Sequence, residues 1–237
     1  MGPACGGPEE MVGTKIYLTC TAPLADERLY AALYAAVSEE RRKKTDRYRF
    51  AKDRRLSLGA EGLLLYALRQ DGRGTRLSCA YGENGKPRLL GEEGFSFNLS
   101  HSGEYAMLAV SDAELGCDIE RIRDADPRLI RYVLTPEELA DLKAVDETAR
   151  SAQFFRYWVL KESCMKAVGR GLSLSPQRIA VRLAPQPEAE CDALPSPFSL
   201  WEGEIPGYRL AVCRLGEDAA VRLRVVPVEE IVAATAM

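Results

Sequence analysis

The 237-residue chain holds a single histidine, His101, and no C-x-x-C pair, so a histidine-rich metal centre and a cysteine zinc site are both excluded. Its seven cysteines (Cys5, Cys20, Cys79, Cys117, Cys164, Cys191 and Cys213) are odd in number and widely spaced. They read as reduced, mostly buried side chains of a cytoplasmic protein, not as a disulfide framework. Positive charge is not in excess. With 32 Lys and Arg against 35 Asp and Glu, the formal charge is −3, which argues against coating nucleic acid through an overall positive field. No run approaches the roughly 18 to 20 apolar residues of a membrane span. Residues 1–10 lack the basic-then-apolar order of a signal peptide. Also missing are the phosphate loop G-x-x-x-x-G-K-[ST], a complete G-x-G-x-x-G and the G-x-S-x-G elbow. ATP-driven and acyl-enzyme chemistry are therefore not indicated.

What is present is an ordinary globular composition, 46% hydrophobic and 28% charged. After a Gly/Pro-rich flexible leader over residues 1–13, a strand is expected at 15–20. Helical spacing follows at 24–37, in a short charged helix capped by Ser38, and at 52–70. Strands are then expected at 76–81, 95–99, 105–110 and 115–122, the last three as an antiparallel meander, with a turn over 82–87. The order then repeats. Thr135-Pro-Glu-Glu fits a capping box with proline at the first helical position. An amphipathic helix spans 154–168 and ends at Gly169 and Gly171. Strands are expected at 178–183, 198–202, 208–214 and 221–226, and the proline-rich stretch 184–197 reads as a loop. Gly103-Glu-Tyr-Ala-Met-Leu-Ala-Val also echoes Pro206-Gly-Tyr-Arg-Leu-Ala-Val. The echo is either a chance match or a duplicated unit; the second implies two related α+β halves, 14–115 and 116–237, with a cleft where they meet.

Four constellations can carry chemistry. Asp118 and Glu120, two apart on a strand, face one side and can converge on one point. They are either a solvated strand face or two oxygen ligands of the kind that suits Mg²⁺. Glu162 and Lys166 share a helix face at i, i+4 with Trp158 and Met165 nearby, which fits a surface ion pair or a partly buried site. Asn98-Leu-Ser100-His101-Ser102 reads as a polar turn at a strand end, able to donate to phosphate oxygens. Arg41-Arg-Lys-Lys44, followed by Arg47, Arg49, Lys52, Arg54 and Arg55, is either a solvated helix face or a site for an anion. RNA fits it poorly, because the interleaved aromatics end at Tyr48 and Phe50.

Gly85-Lys-Pro87, Asn98-Leu-Ser-His-Ser102, Gly116-Cys-Asp-Ile-Glu120 and Trp158-Val-Leu-Lys-Glu-Ser-Cys-Met-Lys166-Ala-Val-Gly-Arg-Gly-Leu172 together resemble the ordered motifs of the Sfp-type 4′-phosphopantetheinyl transferases. The resemblance implies an α+β monomer of two similar halves related by a pseudo-twofold axis, with coenzyme A in the cleft between them. It implies a Mg²⁺ (alternatively Mn²⁺) held by Asp118, Glu120 and Glu162. Gly85, Lys86 and Pro87 would lie beside the adenine, Ser100 and His101 at phosphates, and Lys166 at the pyrophosphate, with Asp118 next to it. Arg41, Lys44 and Arg55 would meet the 3′-phosphate, Glu40 and Lys43 being the other register.

The implied reaction carries the phosphopantetheine arm to a serine of an apo acyl, peptidyl or aryl carrier protein, with no nucleic acid or membrane as partner. Glu162 is the candidate base, Lys166 the charge stabiliser, and Lys161 an aid to the leaving phosphate. Arg121, Arg123, Arg128 and Arg131 form either a docking stripe for acidic carrier proteins or a solvated face. A non-catalytic coenzyme A or carrier-binding module and another Mg²⁺-dependent nucleotide enzyme, such as a pyrophosphatase, are the competing classes.

Overall fold

A computed structural model describes residues 13–75 and 78–235. The expectations for residues 1–12 and for Arg76 and Leu77 lie outside the described residues. In chain order the elements are β1 (Thr14–Cys20), α1 (Glu27–Ala36), α2 (Glu39–Asp46), α3 (Ala51–Gln70), β2 (Cys79–Tyr81), β3 (Pro87–Leu89), β4 (Ser96–Ser102), β5 (Tyr105–Ser111), β6 (Leu115–Arg121), α4 (Pro127–Val133), α5 (Pro136–Ala144), α6 (Glu147–Ala167), β7 (Ala180–Arg182), β8 (Glu188–Glu190), β9 (Phe198–Ile205), β10 (Tyr208–Leu215), β11 (Val221–Val225) and α7 (Val228–Thr235). The fold is mixed α+β.

Local chemistry sets the helix starts. Asp26 caps α1 by accepting from Arg28 N and Leu29 N at 2.8 and 3.1 Å. That cap divides the single helix expected over 24–37 into a 3₁₀ turn, Ala22–Ala25, and α1. Ser38 caps α2 through Arg41 N, and Thr135 with Glu138 forms the expected capping box of α5 behind Pro136. Helix α3 is buried all round from Leu56 to Leu68, because it lies on β1 and β5 and is itself covered by α1, α2 and α7.

Two sheets form the middle of the molecule, in the orders β11-β1-β5-β4 and β6-β10-β9. Strand period separates their faces. In β5, Ala106, Leu108 and Val110 face α3, while Met107 and Ala109 pack with Ile16 and Leu18 against the second sheet. In β6, Leu115, Cys117 and Ile119 enter this same inter-sheet core, which leaves Gly116, Asp118 and Glu120 for the side on which α6 packs. The order is helix, sheet, sheet, helix.

The echo noted in the sequence lies on β5 and β10, each the second strand of a hairpin whose turn uses a glycine at positive φ, Gly103 at 60° and Gly207 at 78°. Three expectations need correction. The meander ends after β5, since β6 leaves to pair with β10. Strand β4 runs on through Ser102, so residues 100–102 are ladder residues paired with β5 and not a turn. The proline-rich loop holds β8, paired with β7. Chain order and space also part company at the end, where β11 pairs in parallel with β1 and α7 packs on α3.

Candidate functional site

The site forms where β4, β6 and α6 meet. Gly116 is the reason they can. A Cβ there would stand 2.2 Å from both Ala167 N and Ser163 O, so only glycine lets the end of α6 press onto β6. That contact brings Glu162 and Lys166 over Asp118 and Glu120. On the other side of β6 no backbone ladder joins β4, and alternate β4 side chains take its place. Asn98 Oδ1 accepts from Cys117 N at 2.9 Å, Ser100 Oγ from Ile119 N at 3.4 Å, and Ser102 Oγ from Arg121 N at 3.1 Å. The two hydroxyls then donate to the carboxylates, Ser100 to Asp118 Oδ1 and Ser102 to Glu120 Oε2, both at 2.7 Å.

Lys166 Nζ lies 2.7 Å from Asp118 Oδ1, 3.2 Å from Ser100 Oγ and 4.0 Å from Glu162 Oε2. One ammonium thus faces buried Asp118 and half-buried Glu120 and Glu162 in a cleft of about 270 Å³ lined by Leu99, Ser100, His101, Asp118, Glu120, Trp158, Glu162 and Lys166. The shortage of positive charge governs how these groups hold their protons. Burial, with Asp118 and Glu120 beside it, pushes the Glu162 carboxyl up to about 7 against the pull of Lys166. Burial and Asp118 likewise raise Glu120. Burial disfavours the Lys166 ammonium, but Asp118, Cys117 and Glu162 outweigh it and raise its pKa. His101, at the solvent edge, is lowered by its protein surroundings and by Lys166, Lys44 and Arg41.

The donor set fits a divalent cation. Asp118 is 3% exposed, yet its Oδ2 has no hydrogen-bond partner, and a buried carboxylate oxygen without a donor is costly. Three carboxylates on one cleft also match the hard oxygen ligands Mg²⁺ takes. With Lys166 drawn in among them, no three His, Cys, Asp or Glu side chains among the described residues stand gathered as a ready metal site.

A second cavity, of about 550 Å³, adjoins this cleft and shares Leu99 and His101 with it. Arg41 and Lys44 line it from α2, Glu61 and Leu64 from α3, Tyr81, Gly85 and Pro87 from the β2–β3 hairpin, and Phe97 from β4. Its size and apolar walls suit a nucleotide, and Arg41 and Lys44 bring positive charge to a rim that also carries Glu39, Glu40 and Glu61. Arg55 does not line this cavity. Lys86 turns its ammonium away from it, to Glu114 Oε2, Leu115 O and Ala167 O at 2.8, 2.9 and 3.0 Å, where it fastens the end of α6.

Lys161 is corrected outright. It is fully buried on the opposite side of α6, with Nζ bonded to Glu138 Oε2, Val133 O and Pro176 O at 2.6, 2.8 and 3.1 Å, and it does not reach the cleft. Arg121, Arg123, Arg128 and Arg131 are exposed. Missed from the sequence were the seam roles of Asn98 and Ser102, which their period-two spacing could have flagged, and the cavity residues Glu61, Tyr81 and Phe97, which carry no local signal.

Residues 114–213 match the family model described as the 4′-phosphopantetheinyl transferase superfamily, and residues 23–113 match that of the 4′-phosphopantetheinyl transferase N-terminal region. A 4′-phosphopantetheinyl transferase of Bacillus pumilus is 30% identical over 231 residues, covering 91% of this chain and 96% of that protein. The Sfp enzyme of Bacillus subtilis (strain 168), also a 4′-phosphopantetheinyl transferase, is 30% identical over 203 residues, 82% of this chain and 89% of its own. Among solved structures, a holo-(acyl-carrier-protein) synthase from Bacillus anthracis aligns at 21% identity with a TM-score of 0.39, covering 44% of this chain and 95% of that one.

Proposed function

The chain belongs to the 4′-phosphopantetheinyl transferase superfamily, and from that premise we propose that it moves the 4′-phosphopantetheine arm of coenzyme A to a serine hydroxyl of an apo carrier protein, acyl, peptidyl or aryl, releasing adenosine 3′,5′-bisphosphate. The observation that carries this reading is that the two cavities adjoin at Leu99 and His101. An apolar-walled chamber holding Arg41 and Lys44 shares Leu99 and His101 with a cleft of three carboxylates and one lysine, and coenzyme A has that order of groups, a phosphorylated nucleoside and then a pyrophosphate.

Nucleophile and leaving group both come from the substrates, so the protein's task is positioning and charge stabilisation. Arg41 and Lys44 receive the 3′-phosphate, Gly85 and Pro87 line the chamber beside the adenine, and Ser100 and His101 meet phosphates at its junction with the cleft. Lys166, held at the cleft floor by Asp118 and Ser100, offers its ammonium to the pyrophosphate as charge develops on the leaving oxygen. Asp118, Glu120 and Glu162 would hold Mg²⁺, which supplies further positive charge to the pyrophosphate when bound. Glu162 takes the serine proton. A carboxyl held near 7 is matched to that task, although a cation on the same oxygens lowers its basicity, so its two roles compete. Exposed Arg121, Arg123, Arg128 and Arg131 offer acidic carrier proteins a basic surface. A monomer in the cytoplasm completes the reading; among the described residues no helix is long and apolar enough to cross a membrane.

The test is incubation with coenzyme A, Mg²⁺ and a panel of apo carrier proteins, followed by mass spectrometry. Expected is one phosphopantetheine per carrier with an equal yield of adenosine 3′,5′-bisphosphate. Coenzyme A binding with no transfer to any carrier would favour a binding module, and phosphate or AMP release without carrier would favour a nucleotide hydrolase.

A further inference from the structure

Glu61 sits in the middle of α3, where the helix is otherwise apolar, and is 5% exposed. A buried carboxylate is tolerated only when charged or hydrogen-bonding partners answer it. Both of its partners come from the first turn of a different helix, α2. Glu61 Oε1 accepts from Ser38 N at 2.6 Å, and Oε2 accepts from Arg41 Nε at 2.9 Å. Ser38 in turn accepts from Arg41 N at 3.1 Å. One carboxylate therefore fixes both the backbone at the start of α2 and the side chain of Arg41.

The way Arg41 is held matters. Its Nε is the atom engaged, and no contact of its terminal amines appears among the described residues. The free edge of the guanidinium is the part whose paired N–H groups match a phosphate. Lys44, one turn along, lines the same chamber without an ion-pair partner among the described residues. Docking of α2 onto α3 is served by the bond from Ser38 N and by Thr45 Oγ1, which donates to Ser57 Oγ at 3.0 Å; the bond to Nε adds a second effect, because it sets the guanidinium's rotamer in a chamber wall.

We propose that Glu61 is a positioning residue that orients Arg41 for the 3′-phosphate of coenzyme A, and so creates the preference for a 3′-phosphorylated nucleotide. The proposal rests on the assignment of that chamber to the nucleoside end of coenzyme A.

The experiment is calorimetric titration of the full chain with adenosine 3′,5′-bisphosphate and with adenosine 5′-monophosphate. Wild type should bind the bisphosphate more tightly. Glu61→Gln should weaken bisphosphate binding about tenfold or more and leave monophosphate binding within about twofold, as expected when a charge-assisted phosphate contact is misaligned. A residue needed only for folding would weaken both ligands alike. Glu61→Asp, which keeps the charge but withdraws it by one methylene, should give an intermediate preference and serves if the glutamine variant does not fold. Arg41→Lys, which keeps charge but loses the fork, should lose the preference as Glu61→Gln does.

Loss of the preference in Arg41→Lys but its retention in both Glu61 variants overturns the positioning role alone. Equal binding of the two ligands by wild type overturns the proposal together with the chamber assignment.

Discussion

Lys161 and Glu162 are neighbours on α6, the first fully buried and the second half-buried, both among charges, and their surroundings are opposite. On one side of the helix Lys161 is answered completely by Glu138, Val133 O and Pro176 O, and Glu138 is in turn answered by Thr135 N and Val181 N. On the other side Glu162 shares a cleft with Asp118 and Glu120 and a single lysine, and Asp118 Oδ2 has no partner. The first cluster is a closed account of donors and acceptors, which holds α4, α5 and the Pro176–Arg178 turn on the helix. The second leaves an acceptor open, and on that opening the proposed cation site rests. Saturation of donors and acceptors, more than charge, separates the two clusters.

Perturbing each cluster should therefore give different kinds of loss. The largest effect belongs to Asp118→Ala, which should lower carrier-protein labelling by fluorescent coenzyme A roughly 10²- to 10³-fold or more while the circular dichroism spectrum and melting behaviour stay near wild type. Lys161→Ala should do the reverse. It leaves the buried Glu138 carboxylate without its ion partner, held only by Thr135 N and Val181 N, at a cost of roughly 3 to 5 kcal/mol in urea unfolding, while KM for coenzyme A in the folded fraction is unchanged. Gly116→Ala tests the join between α6 and the cleft. The added methyl forces the helix off β6, which should lower kcat and cost about 1 to 3 kcal/mol of stability.

The smallest effect is a pH dependence. The Glu162 carboxyl is raised from 4.5 to about 7, so the folded chain keeps a proton that the unfolded chain releases across that window, and stability falls as pH rises from about 4.5 to 7. With EDTA present, Glu162→Gln should remove roughly 1 to 3 kcal/mol of that fall, seen as a flatter profile of unfolding free energy between pH 5 and 8. An unchanged profile would mean that the crowding of carboxylates is relieved in solution.

The legible parts of this site were the local ones. Period two brought Asp118 and Glu120 to one face, and period 3.6 joined Glu162, Lys166 and Trp158. What lay beyond reach was set by contacts distant in sequence. Nothing near Lys161 announces that it turns to Glu138 while Glu162, one residue on, turns to Asp118. Ser100 and His101 looked like a turn because polar residues end most strands. They extend β4 with Ser102, because the alternate hydroxyls of Ser100 and Ser102 are satisfied by β6 across the seam between the sheets. The crossing of β11 back to β1 likewise follows from a parallel pairing that no local pattern encodes. Of the three basic residues taken for the 3′-phosphate, Arg41 and Lys44 line one chamber and Arg55 does not, and Glu61, which fixes Arg41, is indistinguishable in sequence from a surface glutamate.

The unpartnered oxygen of Asp118 is the point on which the distinction between the two clusters turns, and calorimetric titration of the protein with Mg²⁺, wild type against Asp118→Asn, tests it most directly. A single saturable binding event in wild type that disappears in the isosteric asparagine variant is the expected result. Equal Mg²⁺ binding by the two proteins would contradict the assignment of this cleft as the cation site.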